Sequence, residues 1–278
     1  GTLVINGEDG QNDTLSIDMT GIDDTTPLQI QFNGGTGGFD TLELLGGSLN
    51  SVEHIFTSDS SGSVQLNGSG TDFIRYTGLE PVLDTIVAGD RTFSFTGAAE
   101  IITLSDDGVA ANGTSRIDSD LFGEVVTFLN PTDNIFINTE VSGGSGADLV
   151  DIVGLDSDFD ANLTVTAGTD DTINTGTVDI GSGALDLTGG QVNVNGAFTT
   201  TGSVDIVSTF GNITFASAGS IDAGTSEIDL TAASNVNSLN VTTTSEVRVT
   251  ATTGGINDLT LNAQITADRV ALRAGTGG

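Results

Sequence analysis

Strand-sized stretches with apolar residues two apart recur along almost the whole chain. Thr14-Leu15-Ser16-Ile17-Asp18, Leu28-Gln29-Ile30-Gln31-Phe32, Ser63-Val64-Gln65-Leu66-Asn67 and Thr92-Phe93-Ser94-Phe95-Thr96 are examples. Successive side chains of a strand point to opposite faces, so this period predicts strands with one buried face. The runs are bounded by Gly, Asn and Asp, which turn the chain by adopting φ > 0 or by bonding the nearby backbone.

After about residue 160 the pattern tightens into triplets with an apolar residue at each end. They begin at Leu163, Val178, Leu185, Val192, Val204, Ile213, Ile228, Leu239, Val247, Leu259 and Val270, and Asp often fills the middle. Val178, Val204 and Ile228 are 26 and 24 residues apart, a length that suits one coil with two or three short strands. The expected fold is all-β. Residues 151–278 read as a parallel β-helix (β-solenoid), regular from about residue 160. Residues 1–150 read as an irregular β region, either continuous with the solenoid or a separate β domain. A β-sandwich also spaces strands at intervals of about 8–12 residues. The very short strands, the repeated spacing and the scarcity of Asn-Gly and Asp-Gly hairpin turns favour the solenoid. Pro27, Pro81 and Pro131 all lie in the first half, with longer loops at 78–84 and 106–113. Proline cannot donate to a ladder, so these mark turns or strand entries.

Composition reinforces this picture. There is no Lys, one Met, and 29 Asp against nine Glu, so helix formers are scarce. The formal charge is −32, with six Arg. A phosphate-binding groove needs clustered basic residues, so neither nucleic acid nor an anionic membrane surface is an expected partner. No apolar run approaches the roughly 20 residues of a membrane helix, so membrane insertion is not expected. Two readings fit the acidity: repulsion that keeps exposed strand edges apart, or divalent cations held by Asp-rich turns. Cysteine is absent, which excludes disulfides and thiolate metal sites. A secreted, extracellular protein is expected, as a piece of a longer chain, because the sequence starts and stops in strand-like or turn residues.

The most specific motif is Gly143-Gly144-Ser145-Gly146-Ala147-Asp148-Leu149-Val150, which fits the calcium-binding nonapeptide pattern through its aliphatic position. Gly144 and Gly146 would let the loop curl, and Asp148 would supply a carboxylate. Calcium in such loops lies between consecutive turns, so one copy is half a site. Partial copies place Asp40 in register in Gly35–Leu42. Asp13 and Asp171 keep only the Asp-x-aliphatic end. These residues are the candidate calcium ligands; the alternative is that the loops simply turn the chain.

Catalysis is not expected. The pairs Asp23-Asp24, Asp106-Asp107 and Asp170-Asp171 are adjacent in sequence, and neighbours in a strand point to opposite faces. The single histidine, His54, alternates with Val52 and Phe56 and reads as a structural residue. Asn-x-Ser/Thr sequons at Asn12, Asn67, Asn112, Asn162, Asn212 and Asn240 are what chance gives in so Asn- and Thr-rich a chain. Thr199–Thr201 and Thr242–Thr244 read as threonine ladders rather than glycan carriers.

Gly202-Ser203-Val204-Asp205-Ile206, Gly211-Asn212-Ile213-Thr214-Phe215 and the segment Arg269–Gly278 resemble filamentous-haemagglutinin-like β-helices. Gly1–Gly7, Tyr76–Pro81 and Phe128–Thr132 resemble the N-terminal parts of very large secreted repeat proteins of planctomycete type. The resemblance implies a long secreted surface protein with a solenoid shaft. The lack of tandem nonapeptides sets the chain apart from a fully calcium-dependent RTX fold. The expected function is therefore structural: a cell-surface layer or filament built by self-association. An adhesin or carbohydrate-binding module contacting surface glycans is the alternative, with a polysaccharide-degrading β-helix enzyme third. Both ends of the chain read as uncapped, whereas a solitary solenoid carries polar caps.

Overall fold

The computed structural model describes residues 1–278 apart from 23–27, 69, 72, 97, 122, 142–145, 260–262 and 276–278. The described residues contain 30 strands and no helix. The alternation seen in sequence becomes alternation of burial: Ile30 and Phe32 of Gln29–Asn33 and Val64 and Leu66 of Ser61–Leu66 are buried, while the residues between them are not. The strands form three sheets of 13, 12 and 5 members. Pairing is mostly parallel, and one continuous core runs from Met19 to Val249. No helix among the described residues is long and apolar enough to cross a membrane.

In the second half each sheet adds one strand per passage of the chain. In the first sheet Leu163 pairs with Leu185, then Val204, Ile228, Val247 and Val270, so like stacks on like at steps of 19 to 24 residues. The middle residues of these triplets form a row, Thr164, Asp186, Asp205, Asp229, Arg248 and Ala271, in which Arg248 closes the acidic stretch. Arg248 Nε donates to Asp229 at 2.9 Å. Burial, with Asp186 and Asp229 on either side, raises the Asp205 pKa.

The spacing drawn from sequence is corrected in one respect. Val204 and Ile228 do pair, but Val178 belongs to the five-stranded sheet and pairs with Phe198. Triplets that look equivalent in sequence thus belong to different sheets: Val178, Leu185 and Val192 enter the third, first and second sheets in turn. The triplet at Leu259 extends into residues outside those described.

The irregularity before residue 150 comes from two antiparallel excursions. Ser48–Ser58, Ser61–Leu66 and Phe73–Thr77 run antiparallel in the first sheet. Ile101–Asp106, Thr114–Ser119 and Val126–Leu129 do so in the second. The loop at 106–113 is the turn of the second hairpin, where Asp107 accepts from the Val109 amide at 2.8 Å and Asn112 from Thr114 at 2.9 Å. Hairpins are therefore more numerous in this half than the sequence suggested. Neither large sheet breaks near residue 150: in the first, Ile135 pairs with both Arg91 and Leu163, and in the second, Leu149 pairs with both Ile101 and Thr172.

Side chains also connect neighbouring windings. Asn193 Nδ2 donates to Asn174 Oδ1 at 2.9 Å, and Asn174 Nδ2 donates to Asp151 at 2.8 Å. The threonine runs act differently. Thr200 and Thr243 are buried and donate to the carbonyls of Gly183 and Ser226 in the preceding winding, not to other threonines.

Candidate functional site

The second sheet places the acidic candidates in one column. Its inward aliphatic row begins Leu15, Leu42, Val82 and Val126, and resumes beyond the hairpin at Ile102, Val150 and Ile173. Two residues before each lies an acid: Asp13, Asp40, Glu80, Glu124, Glu100, Asp148 and Asp171. This acid-x-aliphatic pattern is the same fragment that suggests calcium in the sequence. Glu80, Glu100 and Glu124 share it but carry a glutamate in place of the aspartate and lack the Gly-Gly pair four and five residues earlier, so the nonapeptide pattern passes over them. The column ends at Gly190, which precedes Val192 of the same row.

Within the column, carboxylates bond backbone amides of the preceding winding. Asp40 Oδ1 accepts from the Asp13 amide at 2.7 Å. Asp148 Oδ1 accepts from the Glu100 amide at 2.9 Å, and Asp171 Oδ1 from the Asp148 amide at 2.8 Å. Asp13 takes the Glu8 amide at 2.7 Å within its own turn. A corner turns the backbone away from the sheet ladder, and each buried N–H there needs an acceptor. Asp40 and Asp13 therefore stack along the corner and do not converge with Asp148 and Asp171. Gly146 packs its backbone so closely on Ala98 and Ala99 that a Cβ would collide. Gly144 lies outside the described residues.

The last two members of the column adjoin a second acidic group. Single carboxylate oxygens of Glu140, Asp170 and Asp171 all lie within 4.8 Å of one another. Two oxygens on opposite sides of a calcium at about 2.4 Å would show that separation. Asp171 Oδ2 also accepts from Gly168 N at 2.6 Å and Thr139 Oγ1 at 2.7 Å. Asp148 is 2 % exposed, and its Oδ2 has no partner. Burial and the charges of Asp171, Glu140 and Asp170 push its pKa up to about 7, against the lowering by the Glu100 amide. Glu140 is raised by burial and by Asp171 and Asp170. The donor set is all hard oxygen with no histidine, which fits calcium rather than a softer metal. Glu140 was not legible as a candidate because it lies about 30 residues from Asp170 and carries no local motif.

His54 is fully buried and stacks on Phe93, with centroids 5.3 Å apart. Its Nε2 lies 2.9 Å from Asp84, which also binds Arg91. All three are fully buried in the core between the two large sheets. No protein-family model, curated protein or solved structure matches the chain.

Proposed function

We propose that this chain is a stretch of β-solenoid shaft in a secreted or cell-surface structural protein, which associates with its own copies into a layer or filament. The observation that carries this reading is the use made of its chemically capable side chains. His54 is held in the core by Asp84, and the acids of the corner column bond backbone amides between windings. Such groups extend and rigidify a scaffold. The like-on-like stacking of successive strands and the unbroken core support the same reading.

Calcium belongs to this proposal, at Glu140, Asp170, Asp171 and Asp148. A charge of −32 keeps copies apart in dilute salt. A divalent counter-ion both relieves the acidic corner and lowers the repulsion between copies. Electron microscopy of the purified chain, with and without calcium, tests the function. Fibres or sheets with a regular repeat are expected, favoured by calcium. Dispersed monomers at every concentration and calcium level would overturn it.

A further inference from the structure

A cavity of about 350 Å³ opens beside the hairpin of the second sheet, where the corner column passes Glu80 and Glu124. Its volume is at the low end for small-ligand pockets, enough for a group the size of one side chain. Phe39 and Leu121, both more than half exposed, give it carbon walls. Asp59, Glu80 and Asp118 give it negative charge, and Glu124 adds a fourth carboxyl group.

Glu124 is the unusual member. It is 3 % exposed, lines the cavity, and its Oε1 has no hydrogen-bond partner. Tyr76, whose titration is raised by its burial and then by Glu124, has its own hydroxyl unpartnered. A buried acceptor without a donor is costly, so native proteins rarely keep one without use for it. Arg116 binds Asp118 at 2.7 Å, but no ion pair among the described residues involves Asp59, Glu80 or Glu124. These carboxylates do not converge as metal ligands do: the one such group of three among the described residues is Glu140, Asp170 and Asp171. Spread acids around a carbon-walled cavity suit a cation that carries several N–H donors on an apolar stem.

We propose that this cavity binds one organic cation, a primary ammonium or a guanidinium on a short carbon stem, with the Glu124 carboxylate receiving its positive end. The inference does not depend on the shaft reading. Burial and the neighbouring Glu80, Asp59 and Asp118 push the Glu124 pKa up to about 8. At pH 7 Glu124 in the free site is therefore largely protonated, and cation binding ionises it and releases its proton to the buffer.

Calorimetric titration at pH 7 and about 0.15 M salt tests this, with three probes: n-butylammonium, N-acetyl-lysine amide and N-acetyl-arginine amide. The expected result is one site per chain for at least one probe, with an apparent enthalpy that changes between buffers of different ionisation heat. Preference for the amino-acid amides identifies a side chain of another protein as the natural occupant; preference for butylammonium identifies a free amine. E124Q should weaken binding roughly tenfold or more, while D107N, in the distant turn at 106–113, leaves it unchanged. Circular dichroism checks that E124Q folds. Should it not, E80Q, at an exposed position, carries the test with an expected several-fold loss. Absence of saturable binding, equal binding of n-butanol, or unchanged affinity in a folded E124Q or in E80Q overturns the proposal.

Discussion

The Asp84 carboxylate on the second sheet and the Arg91 guanidinium on the first meet across the core, and both are fully buried. Each occupies a place that its neighbours fill with carbon: Asp84 lies between Leu44 and Phe128, and Arg91 between Val52 and Ile135. Burial alone would raise the Asp84 pKa. The Arg91 charge and the His54 contact outweigh it and hold it well below the ordinary carboxylate range. Arg91 spends its other donors on the carbonyls of Leu129, at 2.8 Å, and Ile86.

Removing one partner leaves a buried charge without its counter-charge. R91M or D84N should therefore cost about 3–5 kcal/mol. The double variant D84L/R91M should cost clearly less than the sum of its single changes, because no isolated ion remains. Urea denaturation near neutral pH measures both; single losses below about 1 kcal/mol would show that the pair is not the tie between sheets that its geometry indicates. The lowered pKa adds a sign. The contribution of Asp84 is complete above about pH 4 and fades as pH falls below that.

Glu124 has the opposite sign. Its native pKa of about 8 stands above the ordinary value, so its ionised form is disfavoured in the fold. The groups facing it are Glu80, Asp59 and Asp118 (itself paired with Arg116) and the Tyr76 hydroxyl. Its contribution is favourable below about pH 4.5 and is lost as pH climbs toward 8. E124Q should therefore be more stable than the wild type at pH 8.5, by up to a few kcal/mol, and the difference should shrink steadily toward pH 5. Melting curves across that range are the check, and a pH-independent difference would contradict the assignment. Asp148, near 7, adds a dependence of the same sign, so the comparison must be between proteins and not of one alone.

The strands were legible because burial on one face leaves a period of two in the sequence, as in Gln29–Asn33. The acid-x-aliphatic fragment was legible too, at Asp13, Asp40, Asp148 and Asp171. Its meaning was not, since the amide each carboxylate bonds can belong to another winding: Asp13 to Asp40 spans 27 residues and Glu100 to Asp148 spans 48. Glu124 escaped notice because the antiparallel hairpin breaks the order of the column there. The spacing that linked Val178 with Val204 misled for a related reason: strands of all three sheets carry the same triplet, and only pairing tells them apart.

Calcium should act at the end of the acidic column. Saturating calcium is expected to raise the melting temperature relative to chelator, with a stabilisation of about 2.7 kcal/mol when calcium is a hundredfold above its dissociation constant. E140Q and D170N should each remove most of that gain, since they delete ligands without touching the amide caps. D40N should keep the gain, because Asp40 lies elsewhere along the corner and caps Asp13. Identical melting with calcium and chelator would sink the proposed metal role.

The column stops at Gly190 for a steric reason that can be tested. Windings there approach so closely that a Cβ on Gly190 would run into the Thr169 carbonyl oxygen and lie 2.8 Å from that of Asp171. Its φ is not among the positive values, so the conflict is one of space and not of backbone strain. Gly211, one winding later, has looser surroundings, its nearest atom being the Gly190 carbonyl oxygen at 3.1 Å. Backbone cannot yield as a flexible side chain can, so G190A should cost about 1–3 kcal/mol and G211A distinctly less. The acid that fills this position from Asp13 to Asp171 is thus excluded where the corner tightens, and G190D should be at least as damaging as G190A. Thermal melts of the three variants decide it: equal stabilities for G190A and G211A would mean that the corner is no tighter at Gly190, and some other cause ends the column.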